Sequence, residues 1–91
     1  MEFKVEVNEI YLQNEEGVKL AYVKFPNIDD NTVMVTTTYV SDILRGQGIA
    51  GKLMVALYDE LKRTNRKAIM KCSYAVSWFE KNQEKQDILS K

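Results

Sequence analysis

The sequence of 91 residues contains no histidine and only one cysteine, Cys72. Without histidine, no imidazole can act as a general base, so any proton transfer must use another group. A single cysteine cannot form an internal disulfide bond, which favours a reducing, cytoplasmic environment. No apolar run approaches the roughly 20 residues needed to span a membrane, and the first residues lack the apolar core of a signal peptide. We therefore expect a cytoplasmic protein that does not enter a membrane.

Net charge is also absent, because 13 basic side chains balance 13 acidic ones. The two signs are nevertheless unevenly placed along the chain. Residues 1–30 carry seven acidic and three basic side chains, whereas residues 31–91 carry six acidic and ten basic ones. This basic excess is too small and too scattered to predict a nucleic-acid partner. It is equally typical of an anion site and of a solvated, lysine-rich surface.

The composition is typical of a single folded domain spanning residues 1–91. Hydrophobic residues make up 45% of the chain, an ordinary proportion for a globular protein. A chain of this length builds only a modest core, so a bound ligand or a second copy in a homo-oligomer would add stability.

The apolar pattern predicts an α+β fold with the element order β-β-β-α-β-α. Apolar and polar residues alternate over residues 3–12 and again over 18–25, which predicts an antiparallel hairpin across a polar turn. Residues 32–40 are almost all β-branched, so we expect a long buried strand that completes a three-strand antiparallel meander. A helical pattern over residues 49–63 then leads to a short strand over 67–71, and a second short helix follows. The helical crossover predicts that this fourth strand lies parallel to the third.

The most informative segment is Arg45-Gly46-Gln47-Gly48-Ile49-Ala50-Gly51-Lys52. It lies between a strand and a helix, where small residues let an anion approach the backbone N–H groups and the helix dipole favours negative charge. We therefore interpret it as a phosphate-binding loop. Leu53 stands where a nucleotide-triphosphate loop needs serine or threonine, and Lys71 and Cys72 stand where a dinucleotide-binding fold needs an acidic residue. Both of those interpretations therefore fail on context.

The segment from Val40 to Ala50 resembles motif A of the GCN5-related N-acetyltransferases, Gln/Arg-x-x-Gly-x-Gly/Ala. The order of elements, together with Cys72-Ser73-Tyr74 after the fourth strand, is similar to the very small bacterial and plant branch of that superfamily. The resemblance implies a GNAT-like mixed sheet and transfer of an acetyl group from acetyl-coenzyme A (acetyl-CoA) to an amine. Larger members cover the acceptor with helices after the first strand, but here only a turn at residues 13–17 stands there. We therefore expect an open acceptor side that suits a large acceptor, such as a protein amine, or a partner subunit that completes the pocket.

The resemblance also implies a set of site residues. Backbone groups of the loop would hold the pyrophosphate, and backbone groups at the end of the third strand would hold the thioester arm. The cofactor-binding candidates are Tyr39, Val40, Arg45, Gly46, Gln47, Gly48, Ile49 and Ala50. Of the two catalytic candidates, Tyr74 would protonate the departing thiolate or bind the sulfur of CoA, and Cys72 would accept the acetyl group first. Each also has a structural interpretation, Tyr74 as a ring packed at a helix start and Cys72 as a small buried apolar residue. No metal site is expected.

The chain departs from that branch at the third strand, where Thr37 stands at the place of its usual histidine. Ser41 stands where that branch usually has a proline after the strand. Lys81-Asn82-Gln83 stands where relatives often have an Arg-His-Pro-like stretch in the tail. The candidates for the base are then Glu80, Glu84 and a water molecule. Because the histidine is missing, a non-catalytic CoA- or acyl-CoA-binding module is the alternative to an enzyme, and an interaction protein without a ligand is a third interpretation.

Overall fold

The computed structural model describes residues 2–90, which form six short strands, two α-helices and two 3₁₀ segments. The strands are β1 (Lys4–Val5), β2 (Glu9–Gln13), β3 (Lys19–Lys24), β4 (Thr32–Val35), β5 (Thr37–Val40) and β6 (Lys67–Met70). The helices are α1 (Ile49–Arg63) and α2 (Ser73–Lys81), and the 3₁₀ segments are Asp42–Leu44 and Gln83–Ile88. The predicted α+β class is confirmed, because an antiparallel sheet and a parallel strand pair occur in one chain with two helices.

The antiparallel sheet has the strand order β1-β2-β3-β5, so the predicted meander is present. Its register places Tyr11 opposite Tyr22, and Tyr22 opposite Tyr39. These tyrosines share the outer face of the sheet, since side chains alternate between faces along each strand. The neighbouring positions, such as Ile10 and Val23, are fully buried on the inner face. Helix α1 lies against that inner face, in contact with β2, β3 and β5.

The first strand differs from the prediction, because residues 3–12 form a short hairpin and not one continuous strand. β1 pairs antiparallel with β2, and Lys4 lies opposite Tyr11. The Glu6 N–H donates to the Glu9 carbonyl over 2.8 Å and closes the turn. Val7 kept the apolar alternation going in the sequence, but in the structure it is 69% exposed at this turn. The alternating pattern therefore ran on through a residue that does not face the core.

The predicted long strand over residues 32–40 is divided at Thr36 into β4 and β5. β4 pairs parallel with β6, and β5 pairs antiparallel with β3, so the two halves belong to different sheets. The Thr36 N–H donates to the Lys24 carbonyl over 3.0 Å, whereas the N–H groups of Lys71 and Cys72 both donate to the Val35 carbonyl. The parallel pairing of the third and fourth predicted strands is thus confirmed for β4 alone. Beyond Val35 the segments that follow β4 and β6 diverge, and β5 is the edge strand of the antiparallel sheet, beside an opening.

Helix α1 follows the predicted boundaries and supplies much of the core. Its inner face buries Leu53, Met54, Leu57 and Leu61 completely. Burial of each such side chain contributes about 1.5–3 kcal/mol to folding. The helix ends at Thr64, whose N–H and hydroxyl both donate to the Glu60 carbonyl.

Arg66 fastens the end of α1 to the hairpin turn. Its side chain is 7% exposed, and its guanidinium donates to the Val7 carbonyl over 2.9 Å and to Asn27 Oδ1 over 3.0 Å. Its Nε donates to Thr64 Oγ1 over 2.8 Å, and Nη2 lies 3.9 Å from Glu60 Oε2. The sequence places Arg66 in the segment that stops the helix, but it does not show this contact across 59 positions.

The C-terminal residues cover the outer edge of the parallel pair. Ile88 is buried, and Leu89 forms a parallel bridge with Ala68 of β6. Tyr58 of α1 donates a hydrogen bond to Asp87 Oδ1 over 2.8 Å. Ile88 and Leu89 thus anchor this segment to the core and to β6. Between residues 2 and 90, neither helix is long and apolar enough to cross a membrane.

Candidate cofactor and active site

The glycine-rich loop has a backbone conformation that requires glycine at two positions. Gly46 has φ +83° and Gly48 has φ +71°, the left-handed region that other residues rarely adopt. A Cβ atom placed on either residue would meet nothing within 4 Å. The loop is therefore both bent and open, and no described side chain fills the space next to these two glycines.

The loop leads directly into α1, and the first backbone N–H groups of this helix have no side-chain cap. Gly48 is the N-cap of the helix and supplies no side-chain hydrogen bond, and the first turn contains no acidic residue. Intrahelical bonding begins with the Lys52 N–H, which donates to the Gly48 carbonyl over 3.1 Å. The N–H groups of residues 49–51 therefore point out of the helix end, where the helix dipole favours an anion.

A cleft of about 450 Å³ lies between this helix end, the edge strand β5 and the start of α2. It brings together seven of the predicted site residues: Val40, Arg45, Gly46, Gly48, Ile49, Ala50 and Tyr74. Three further residues, Thr38, Leu44 and Gly51, also line it, and the sequence analysis did not name them as site residues. The sequence offered a signal for two of them. Thr38 lies two positions before Val40 and so shares its face of the strand, and Gly51 belongs to the glycine-rich segment.

The edge of β5 presents backbone groups to the cleft in an alternating pattern. The Ser41 N–H donates to the Leu20 carbonyl over 2.7 Å, on the side of β3. In an antiparallel ladder the direction of successive N–H groups alternates, so the N–H groups of Val40 and Thr38 face away from β3, toward the cleft.

Tyr39 lies between those two positions and faces the other way. Its ring is 44% exposed on the outer face of the sheet and stacks on Tyr22 with ring centroids 5.2 Å apart. Its N–H points toward β3 by the same alternation. The structure therefore does not bring Tyr39 into the cleft, and of the two predicted strand positions only Val40 offers a backbone N–H there.

Cys72 is the N-cap of α2 and is half-buried behind Thr38, with Sγ 3.4 Å from Thr38 Oγ1. Burial raises the pKa of the thiol, but polar groups around the sulfur favour the thiolate and outweigh this effect. They are the Thr38 hydroxyl, which is in hydrogen-bond contact with Sγ, and the nearby backbone N–H groups of Ala75, Tyr74 and Thr38. The pKa of Cys72 therefore lies below its ordinary value, which favours the reactive thiolate.

Tyr74 lies in the first turn of α2 and is 39% exposed at the wall of the cleft. Burial raises the pKa of its hydroxyl above the ordinary value. At neutral pH the hydroxyl therefore keeps its proton and can donate it to a group in the cleft.

The side chains of Arg45, Gln47 and Thr37 lie at the margin of the site or outside it. Arg45 is exposed, and its Nε contacts Asp42 Oδ1 over 2.9 Å. Gln47 projects to the other side of the loop, toward Phe3 and Leu12. Thr37, assigned to the place of the family's histidine, is exposed, and Thr38 is the threonine that contacts Cys72.

Neither of the two glutamates suggested as a base lines the cleft. Glu80 and Glu84 are both exposed, one on α2 and the other in the 3₁₀ segment that follows it. Within residues 2–90, no group of three or more acidic or cysteine side chains is arranged to hold a metal ion.

The fold and the cleft define an α+β protein whose sheet opens next to an anion-attracting helix end. Comparison with known families identifies it further, because the sequence profile described as GCN5-related N-acetyl-transferase matches residues 8–88. The chain therefore belongs to the GCN5-related N-acetyltransferase family. A search of curated proteins finds no match to this sequence.

Solved structures of related proteins share this fold. A GCN5-like protein from Staphylococcus aureus, determined by NMR, is 33% identical with a TM-score of 0.78, and the match covers 98% of this chain and 87% of that one. Tetrahymena GCN5 is 16% identical with a TM-score of 0.65, and the match covers 91% of this chain and 59% of that one. YhbS from Escherichia coli, solved in complex with CoA, is 23% identical with a TM-score of 0.62, and the match covers 76% of this chain and 42% of that one. The chain thus spans less than two thirds of the length of the last two proteins, whose likeness is one of fold.

Proposed function

We propose that this protein is an N-acetyltransferase that moves an acetyl group from acetyl-CoA to an amine on a large acceptor, such as a protein, in the cytoplasm. The observation that carries the proposal is the open, uncapped N-terminus of α1 behind Gly46 and Gly48. Its outward N–H groups suit the diphosphate of CoA, the ligand of the E. coli relative. Acetyl-CoA would supply an activated thioester whose acetyl carbon an amine can attack.

The protein's first task is to hold the thioester arm and polarise its carbonyl. The edge of β5 can pair with an extended arm as a further strand would, because its outward backbone groups have no partner strand among the described residues. The Val40 N–H is then placed to donate to the carbonyl oxygen as negative charge develops there. Removal of a single donor of this kind typically costs about 100- to 1,000-fold in rate.

The second task is to manage the protons. In direct transfer, the amine nitrogen bonds to the acetyl carbon while the carbon–sulfur bond breaks. The amine loses one proton, and the sulfur of CoA gains one from the Tyr74 hydroxyl, which solvent then reprotonates. Since Glu80 and Glu84 do not line the cleft, a water molecule is the base that the geometry favours.

Cys72 offers a second route with the same balance of atoms. Its thiolate would bond to the acetyl carbon as the carbon–sulfur bond to CoA breaks, and the sulfur of CoA would leave with a proton from Tyr74. The amine would then take the acetyl group, lose one proton to water and release the Cys72 thiolate, and solvent would reprotonate Tyr74. The lowered pKa of Cys72 supports this route. Its half-buried position behind Thr38 instead suits a structural cap of α2.

An open acceptor side supports a large acceptor. β2 and β3 are joined by a tight turn in which the Asn14 side chain accepts hydrogen bonds from the N–H groups of Glu16 and Val18. This turn leaves no room for covering helices between the two strands. The acceptor could therefore reach the opening without the closure of a small pocket.

The test is release of CoA thiol from acetyl-CoA in the presence of peptide and small amines, compared between wild type, Tyr74→Phe and Cys72→Ala. We expect wild type to release thiol only with an amine and Tyr74→Phe to be at least about tenfold slower. A Cys72→Ala variant as fast as wild type would select direct transfer. Binding of CoA without release across a broad amine panel would instead make this protein a non-catalytic CoA-binding module.

A further inference from the structure

A polar groove on the outer face of the antiparallel sheet ends at the opening beside β5. It has a volume of about 580 Å³, and Glu9, Lys24 and Thr36 are among the residues that line it. Glu9 and Lys24 alternate along their strands with the buried Ile10 and Val23, so the groove lies on the face opposite α1. Thr36 marks the division between β4 and β5, where the opening begins. The groove therefore leads to the opening from the outer side of the sheet.

The outer side is also the approach that the helices leave to an acceptor. α1 packs on the inner face of the sheet and α2 packs on α1, so both helices lie on the cofactor side of the opening. On the outer face the ring of Tyr39 is 44% exposed, and Lys24 and Thr36 are exposed as well. When acetyl-CoA occupies the cleft, an amine reaches the acetyl group most directly from this outer face.

The charge of Lys24 in this groove has no carboxylate partner among residues 2–90. Glu9 lies directly opposite Lys24 in the register of β2 and β3, where an ion pair would be expected. However, both carboxylate oxygens of Glu9 accept from Lys19 Nζ over 3.0 Å. The Lys24 ammonium instead lies over the ring of Tyr22, 5.1 Å from its centroid. Its ability to bind a carboxylate is therefore left for a ligand.

The backbone places Lys24 next to the opening. Its carbonyl accepts a hydrogen bond from the Thr36 N–H over 3.0 Å, and its register partner in β5 is Thr37. We infer that Lys24 binds a carboxylate of the acceptor, so that the preferred acceptor is a protein segment with an acidic residue close to the target amine. This inference rests on the proposed function and names the class of acceptor segment.

The charges of the groove also decide where the acceptor's carboxylate lies. Glu6 and Glu9 line the end of the groove away from β5, around the turn between β1 and β2, and would repel it. Lys24, at the end beside the opening, attracts it. Successive residues of an extended segment advance by about 3.3 Å, so an acidic residue within about three positions of the target is close enough to contact Lys24.

The test measures release of CoA thiol with peptides that have a blocked N-terminus and a single lysine as the target amine. Each peptide carries one glutamate at a different position within three residues of that lysine, and matched peptides carry glutamine or arginine there. At one or two of these positions, kcat/KM of wild type should be about three- to fivefold higher with glutamate than with glutamine, and lowest with arginine. The preference should shrink at about 0.5 M salt, because salt screens exposed charges.

Variants of Lys24 assign the preference to this side chain. Lys24→Gln should abolish it, and Lys24→Glu should transfer it to the arginine peptides. Neither change should alter the calorimetric affinity for CoA, because Lys24 does not line the cofactor cleft. Lys4→Gln is the matched control, since Lys4 is an exposed lysine of the same sheet that lies opposite Tyr11 and outside the groove. It should keep the preference for glutamate.

The outcomes distinguish this inference from the proposed function. Equal kcat/KM for the three kinds of peptide in wild type, or a preference that survives Lys24→Gln, would overturn the inference and leave the proposed function standing. An equal loss of preference in Lys24→Gln and Lys4→Gln would also overturn it, since the effect would then come from overall charge. Binding of CoA without thiol release for any peptide or small amine would overturn the proposed function, and the inference with it.

Discussion

Thr38 connects the edge strand β5 to Cys72, and it lines the cleft. Its hydroxyl contacts Cys72 Sγ over 3.4 Å, and Val40, two positions along the strand, turns its N–H toward the same opening. The site therefore uses one short strand both to position the thiol and to offer backbone groups to a ligand. A chain without histidine can still favour a thiolate in this way, by hydrogen bonds to sulfur and by the N-terminus of α2.

The first prediction concerns the pKa of that thiol. Because hydrogen bonds favour the thiolate, alkylation of Cys72 by iodoacetamide should reach half its maximal rate at a pH below that of an ordinary cysteine. Thr38→Val removes the hydroxyl and keeps the shape, so its pH–rate profile should move to higher pH. Since Cys72 is the only cysteine, the rate has a single source. Coincident profiles for wild type and Thr38→Val would contradict this account.

At the scale of elements, the end of α1 is held by a buried ionic cluster. Glu60 is 7% exposed and accepts two hydrogen bonds from Arg63, at 2.9 and 2.7 Å, with Arg66 on its other side. The hydrogen bonds from Arg63, more than the nearby positive charges, hold the pKa of Glu60 below its ordinary value despite burial. The cluster joins the helix end to the hairpin turn through Arg66, so its protonation affects packing between elements.

The second prediction is that this cluster makes stability depend on acid pH. A lowered pKa in the folded state means that the carboxylate stabilises the fold fully above its ordinary pKa of 4.5 and loses this effect as the pH falls through the lower folded value. Glu60→Gln should therefore cost about 1.5 kcal/mol at pH 7, and much less at pH 3. Urea unfolding at both pH values measures the difference.

The control for that measurement is Glu15→Gln, in the exposed turn between β2 and β3. It should change the free energy of unfolding by less than about 0.5 kcal/mol at either pH. An equal destabilisation by Glu60→Gln at pH 7 and pH 3 would show that the loss is one of packing and not of charge.

At the scale of the whole molecule, local signals in the sequence predicted more than non-local ones. The loop, α1 and the parallel strand could be predicted because glycine spacing, helical periodicity and a β-branched run each lie within a few residues. The division at Thr36 could not, because residues 32–40 read as one β-branched run. The division comes from partners far away in sequence: β6 takes the first half of the run, and β3 takes the second.

The candidate site divides in the same way. The glycines at 46 and 48 could be found from spacing, because a bent loop before a helix needs them there. The register between β5 and β3 determines which backbone N–H groups of β5 face the cleft. Without this pairing, the sequence could not show that the N–H of Val40 faces the cleft and that of Tyr39 does not. Another groove, lined by Phe3, Val55 and Trp78, has no signal in the sequence, since it forms only where α2 returns to the first turn of α1. Sites shared by two or three elements carry little signal in any one of them.

The third prediction follows from that shared construction. A ligand that bridges β5, α1 and α2 binds the folded chain and not the unfolded one, so CoA should raise the free energy of unfolding of the whole molecule. At a concentration 100 times the Kd this amounts to about 2.7 kcal/mol, which raises the Tm of a chain this size by about 10–20 °C. Gly46→Glu should abolish the rise, since it places a carboxylate at the anion site.

Gly17→Glu provides the matched control for that variant. Gly17 has the same φ of +83° as Gly46, and a Cβ atom there would likewise meet nothing within 4 Å, but Gly17 lies in the turn between β2 and β3. Both substitutions therefore carry the same backbone strain, about 1–2 kcal/mol, and lower the starting Tm alike. Only Gly46→Glu should remove the response to CoA in a thermal unfolding assay. If both variants keep the full rise in Tm with CoA, the diphosphate does not bind at this loop. A carboxylate at position 46 would then affect CoA binding no more than one in a distant turn.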